Sequence, residues 1–183
     1  MKLLLDQGFP NPVGFDVRSV DSSLDVVHLS AYDRSLSEES TPDWLLYWIA
    51  HHDGFDAFVT RDLAQRTQTV EMYVLSRLAG FSIITWTRAI EDPVTEWGQL
   101  IAYLPEIRKK FDNDASRRRS GTIILLPRPT LTAQNLLDAT NVFGELANDE
   151  GTSIVDARRH VRIELLEIVN TLGRNPKEFS DLF

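Results

Sequence analysis

Short apolar runs and helix-spaced apolar patterns take turns along this chain, and that alternation limits the fold more than any other feature. Leu3–Leu5 is a strand candidate that runs straight into Asp6, and Val26, Val27 and Leu29 form a second. A polar loop, Ser37 to Asp43, leads into a helix start. Thr41 suits the N-cap and Pro42 the first helical position, where its missing N–H costs nothing. Asp43 falls in the first turn, where a negative charge suits the helix dipole. Leu45, Leu46, Trp48 and Ile49 supply the apolar face, and Asp53-Gly54 ends the helix.

The alternation continues. Phe55–Thr60 reads as a buried strand closed by Arg61-Asp62, Val70–Leu78 as a helix and Phe81–Trp86 as a strand. Pro93 opens a further helix with Trp97, Leu100, Ile101, Leu104 and Ile107 on one face. Pro105 should bend or interrupt it. Asp112–Gly121 reads as a loop and Ile123–Leu126 as a strand. Thr132 is placed to cap a helix through Leu136, Leu137, Val142, Phe143 and Leu146. Two more strands are predicted at Ser153–Val155 and Val161–Leu165, and the chain after Thr171 is predicted to be polar and frayed. Strands alternating with helices imply βαβ units and an α/β fold with a mainly parallel sheet.

A chain of 183 residues, 43% hydrophobic and 25% charged, is a single globular domain by size and balance. It has no cysteine, which excludes disulfides, thiolate metal sites and cysteine nucleophiles. The opening Met1–Asp6 is too short an apolar run for a signal peptide, and no stretch approaches the roughly 18 apolar residues of a membrane span. A cytoplasmic protein with no membrane partner is expected. The net charge of −8 argues against bulk coating of nucleic acid, but it is uneven. Between Ile107 and Arg119 six basic residues, including Arg117, Arg118 and Arg119, face two acids. Such a stretch reads either as a solvated loop or as a clamp for a phosphate backbone, and Arg158, Arg159 and Arg162 are placed to extend the clamp.

Three acids stand at informative places. Asp6 and Asp62 close predicted strands, and Asp43 opens a helix that would start at the same sheet edge. Ligands of open α/β sheets bind outside the carboxyl ends of the strands. Taken singly, each acid is an ordinary loop or capping residue. Converging carboxylates repel, so they need either a neutralising cation or raised pKa values. Oxygen-only donors of this kind suit Mg²⁺ or Mn²⁺, which activate water for attack on phosphate.

Lys2-Leu3-Leu4-Leu5-Asp6-Gln7-Gly8-Phe9-Pro10 resembles the opening strand of PIN-like ribonuclease domains, relatives of the VapC toxins of bacterial toxin–antitoxin pairs. Thr41-Pro42-Asp43 before Trp44–Ala50 is similar to their acid leading a helix. Phe58-Val59-Thr60-Arg61-Asp62 is similar to their buried strand ending in Thr-Arg-Asp, the most specific of these motifs. The acids follow at intervals of 37 and 19 residues, in the family's order. Gly121–Leu126, Leu131-Thr132-Ala133, Gly151–Val155 and Val161-Arg162-Ile163 resemble the compact PIN-like subfamily. The likeness covers residues 1–167, with 89–120 an extended helical and loop segment and 168–183 a polar C-terminal tail.

The resemblance implies a three-layer α/β/α domain and Mg²⁺- or Mn²⁺-dependent cleavage of RNA. Asp6, Asp43 and Asp62 would be the catalytic metal ligands, Thr60 a nearby hydroxyl and Arg61 a phosphate contact. It also implies a cognate antitoxin protein and a homodimer, for which the helix around Trp97–Leu104 is an interface candidate, although core packing explains that helix equally well. Two features depart from the family. Gln7 stands where an acid or small residue is usual, and a fourth acid is sought only at Glu91 or Asp92. A non-catalytic interaction module is therefore the second expectation. A phosphoacceptor domain is disfavoured, because Gln7 stands where it would need a second acid.

His51-His52 ends a helix, where neighbours point apart and at least one should be a solvated, dipole-stabilised histidine. His28 and His160 are isolated and carry no assigned role. Trp44, Trp48, Trp86 and Trp97 are core candidates before they are base-stacking platforms.

Overall fold

The apolar runs form strands that bury both faces. In the computed structural model, which describes residues 1–9, 23–37, 41–62, 64–87, 93–113, 117–126 and 136–183, the strands are β1 (Lys2–Leu5), β2 (Asp25–His28), β3 (Ala57–Val59), β4 (Ser82–Trp86), β5 (Thr122–Leu126) and β6 (Leu136–Asp138). They form one sheet in the order β2-β1-β3-β4-β5-β6. The first five are parallel, and β6 adds an antiparallel edge, with Ile123 opposite Leu137.

The helices are a single turn α1 (Leu29–Tyr32), then α2 (Asp43–His52), α3 (Thr69–Arg77), α4 (Pro93–Asn113), α5 (Asn141–Glu150) and α6 (Ile154–Thr171). Successive strand residues point to opposite faces, so each strand feeds two cores. Leu4, Phe58, Ile83, Ile123 and Leu125 pack with residues of α2, α3, α5 and α6. Leu3, Leu5, Val59, Ile84, Trp86 and Ile124 pack with Leu100, Tyr103, Leu104 and Ile107 of α4. The fold is thus the expected three-layer α/β/α arrangement. The crossovers β3–α3–β4 and β4–α4–β5 step the same way across the sheet but cover opposite faces, so they are of opposite hand, and one is the uncommon left hand. No described helix is long and apolar enough to cross a membrane.

Four expectations change. The strands predicted at Ser153–Val155 and Val161–Leu165 are one continuous helix, α6. Ala157, Val161, Leu165 and Val169 recur every four residues and are buried, whereas Ile163 is exposed. The helical period therefore governs, and Ser153 caps it by accepting from the Asp156 N–H. The closing strands implied by the family resemblance are absent from this segment.

The helix predicted from Thr132 is strand β6 from Leu136, followed by α5 from Asn141; Thr132 itself lies outside the described residues. Pro105 does not interrupt α4, which runs on to Asn113 with Pro105 on its exposed side and Leu104 and Ile107 buried. The tail is not loose: Phe179 and Leu182 are buried in the first core, and Phe179 meets Trp44 edge to face at 5.5 Å. Leu100 and Leu104 are buried within the chain's own second core, so that face of α4 is not a free dimer surface.

Candidate functional site

Strand order selects the site. The chain leaves β1 for β2 on one side, then returns past β1 to form β3 on the other. The connections diverge there and open a crevice at the carboxyl ends of β1 and β3. Asp6 follows β1, and Thr60, Arg61 and Asp62 follow β3. Helix α2 returns the chain to the start of β3 and therefore begins at the same edge, where Asp43 is its first residue. Pro42 takes the N-cap position with extended backbone and no side-chain cap, one residue later than the Thr41 cap predicted.

Thr60 is the hub. It is fully buried and its N–H donates to the Ile84 carbonyl. Its hydroxyl donates to Asp6 Oδ2 at 2.9 Å and accepts from the Asp62 N–H at 3.0 Å. Asp6 Oδ1 accepts from the Gln7 N–H at 2.7 Å, and the Asp6 N–H donates to the Val59 carbonyl, which stitches β1 to β3. Asp62 Oδ1 accepts from the Ala64 N–H at 2.8 Å and holds the 3-10 turn Ala64–Thr67. That turn presents Gln65, which is buried, accepts from the Tyr47 hydroxyl at 2.7 Å and hydrogen-bonds the Asp43 carboxyl.

The three carboxylates feel one another. Burial and the charges of Asp6 and Asp62 push Asp43 up to about 6. Burial raises Asp6 as well, with Asp62 adding repulsion against the lowering effect of the Thr60 and Gln7 hydrogen bonds. Burial and the same acids push the Tyr47 phenol well up, which keeps it a neutral donor. Among the described residues no three acids or histidines stand at the spacing that encloses an ion directly. The donor set is nevertheless oxygen-only and mutually repulsive, which is the chemistry a hard divalent cation relieves.

His28, given no role by the sequence, also belongs here. It ends β2 level with Leu5, and its charge would favour ionised Asp6. Its Nε2 faces the Phe9 carbonyl at 3.0 Å while Nδ1 accepts from the Ser30 N–H, which assigns the proton to Nε2. A strand ending in histidine beside one ending in aspartate was the signal available. Glu71 is a second addition. It lies in the first turn of α3, its carboxyl is raised mainly by burial, and Asp43 contributes repulsion. The fourth-acid candidates Glu91 and Asp92 lie outside the described residues.

The predicted phosphate contacts divide between the two edges of the sheet. Arg61 is ion-paired with the buried Glu96 of α4 and donates to the Gly8 carbonyl at 3.1 Å, which ties it to the crevice wall. Arg117 is buried at the other end of the sheet. It donates to Ser82 Oγ at 3.0 Å and to the Gly80 carbonyl, and it lies over the Phe111 ring at 3.6 Å. Arg118 and Arg119 follow it, just before β5 begins, and are exposed at the amino edge. A strand of five residues spans about 16 Å, so this basic turn does not flank the acids.

The tryptophans are mainly structural. Trp44 and Trp86 are buried, and Trp48 donates to Asp181. His51 is lowered by burial and by His52, so dipole stabilisation does not govern it, whereas His52 bonds the Trp48 carbonyl and lies 3.4 Å from Asp181. No family model matches the sequence, and neither the curated proteins nor the solved structures contain a match to it.

Proposed function

We propose that this protein is a metal-dependent ribonuclease of PIN-like type, acting in the cytoplasm on RNA phosphodiesters. The supporting observation is the convergence of Asp6, Asp43 and Asp62, from three separate segments, on the crevice between β1 and β3. Burial, with the added repulsion of Asp6 and Asp62, raises Asp43 to about 6. Holding three carboxylates together destabilises the fold unless something offsets their charge.

Asp6, Asp43 and Asp62 are the residues that would hold Mg²⁺ or Mn²⁺. The bound ion would supply positive charge and activate water for attack on phosphorus. Thr60 fixes the Asp6 carboxylate and the Asp62 backbone against each other. Gln65, backed by Tyr47, orients Asp43. The Arg61–Glu96 pair and the Gly8 contact keep the ends of β1 and β3 in register, so the acids face one space. The likeness to VapC-type toxins extends the proposal to a cognate antitoxin protein that would hold the enzyme inactive, and to a homodimer formed through a surface other than the buried face of α4.

The deciding experiment compares wild type with Asp62→Asn on a labelled RNA, with Mn²⁺ or Mg²⁺ and with chelator. Metal-dependent cleavage that falls about 100-fold or more in the variant is expected, since one anionic ligand of the cation is lost. Equal activity in both proteins would remove Asp62 from the site. If wild type neither cleaves RNA nor gains melting temperature with millimolar Mn²⁺, the chain is a non-catalytic interaction module.

A further inference from the structure

An acidic protein gathers five arginines around one concavity. At the amino edge of the sheet a cleft of about 520 Å³ lies between the end of α3, the turn before β5 and the first turns of α6. Arg77, Arg119, Arg158, Arg159 and Arg162 line it, and Asp138 is the acid among its described lining residues. All five arginines are exposed, and none has a carboxylate partner among the described residues. Asp138 offsets one of the five positive charges at most, and its position is set by neighbouring hydroxyls and backbone. Its Oδ1 accepts from the Thr140 N–H and hydroxyl at 2.8 Å and from the Ser120 hydroxyl at 3.3 Å.

Two arginines are held by aromatic rings. Arg158 lies over Phe143 at 5.2 Å and Arg162 over Phe183 at 5.9 Å. A guanidinium that stacks on a ring keeps its in-plane N–H donors for a ligand. The first turns of α6 add the positive end of an 18-residue helix dipole. Like-charged side chains converge in this way at a cost that an anion offsets. Arginine alone is used, with no lysine, and its planar fork matches a phosphoryl group in two parallel hydrogen bonds.

We propose that this cleft binds phosphoryl groups, either the terminal phosphates of a small ligand or the backbone phosphates of a nucleic acid. The site is separate from the acidic crevice and does not depend on whether those acids cut RNA.

Calorimetric titration in the presence of chelator tests it, with tripolyphosphate, a 5′-phosphorylated RNA tetranucleotide and its 5′-hydroxyl counterpart as probes. Saturable binding to wild type is expected. It should weaken about tenfold or more in the double variant Arg119→Ala, Arg159→Ala, which spares the ring-held arginines and so the fold. A melting temperature within about 2 °C of wild type serves as the folding control. Preference for the 5′-phosphorylated oligonucleotide assigns the site to terminal phosphates, and equal binding of the two assigns it to the backbone. Asp62→Asn should bind tripolyphosphate as wild type does, and a changed affinity there would place the anion at the acidic crevice and overturn the proposal. Unchanged affinity in the double variant, or absence of saturable binding to wild type, also overturns it. Equally tight binding of a glutamate oligomer of matched charge would replace phosphate with an acidic protein segment.

Discussion

At the carboxyl edge of the sheet the strands end in side chains that repel: Asp6 after β1, and Asp62 after β3, with Asp43 opposite. At the amino edge the same strands begin among donors and a basic plug, with Arg117 holding Ser82 and the Gly80 carbonyl. Around Arg117 the amino edge is closed on its buried charge, whereas at the carboxyl edge burial and the neighbouring acids leave Asp6 and Asp43 with raised pKa values. The difference teaches how each place treats charge: Arg117 is satisfied by several acceptors, whereas the acids of the crevice are held close enough to raise one another. A buried charge given several acceptors is structural, and charges left to strain one another await a partner.

The most severe way to break the contrast is at Gly121, on the closed edge. A Cβ there would lie 2.1 Å from the Leu75 carbonyl oxygen, to which the Gly121 N–H also bonds. Gly121→Ala should cost about 3 kcal/mol or more and lower the urea midpoint accordingly, because neither β5 nor the end of α3 has room to yield. An unchanged midpoint would show that this edge is looser than its geometry.

Thr60→Val sharpens the view of the open edge. It removes the hydroxyl between Asp6 and Asp62 while keeping the side-chain shape. Stability should fall by about 1–2 kcal/mol, and metal-dependent cleavage should fall more than metal-independent folding predicts. Cleavage that tracks only the fraction folded would make Thr60 a purely structural hub.

Asp43→Asn tests the strain directly and has the opposite sign. A carboxyl whose folded pKa is raised binds its proton more tightly in the folded state. Its stabilising contribution is therefore present at low pH and is lost as pH rises from about 4 through about 6. Without divalent cation, Asn should raise the melting temperature at about pH 7.5 by about 2–4 °C, roughly 1 kcal/mol after allowing for solvent screening. The gain should vanish near pH 4. In wild type, stabilisation by Mn²⁺ should grow as pH passes about 6, because ligands must be deprotonated. A pH-independent difference would remove the repulsion argument.

The smallest effect is expected from Arg118→Ala, an exposed residue of the basic turn. It should change stability by less than about 0.5 kcal/mol and leave RNA cleavage at the acidic crevice unaltered. A large loss of cleavage would bring that turn back to the substrate.

Much of the frame was legible before any coordinates. The short apolar runs Leu3–Leu5 and Ile123–Leu126 announce strands, because buried parallel strands must be apolar on both faces. The three acids were legible for a related reason, since each stands where a strand or helix changes to loop. At Leu136–Asp138 and from Ser153 to Leu165 short apolar runs suit either period, whereas the helical spacing of Val142, Phe143 and Leu146 holds in α5. Pairing with β5 decided for strand at Leu136–Asp138, and burial of Ala157, Val161, Leu165 and Val169 decided for helix.

By itself the sequence determined the layered α/β architecture and put Asp6, Asp43 and Asp62 at element ends, because hydrophobic periodicity and helix-end chemistry are local. Tertiary structure alone decided which charges meet. Strand order placed Asp6 beside Thr60 and drew His28 into the same crevice. Parallel direction sent Arg117–Arg119 to the far edge, and helix packing brought Arg158, Arg159 and Arg162 to Arg77 and Arg119. Electrostatic energy depends on separation in space, and neighbours across a sheet or between helices can lie a hundred residues apart in the chain.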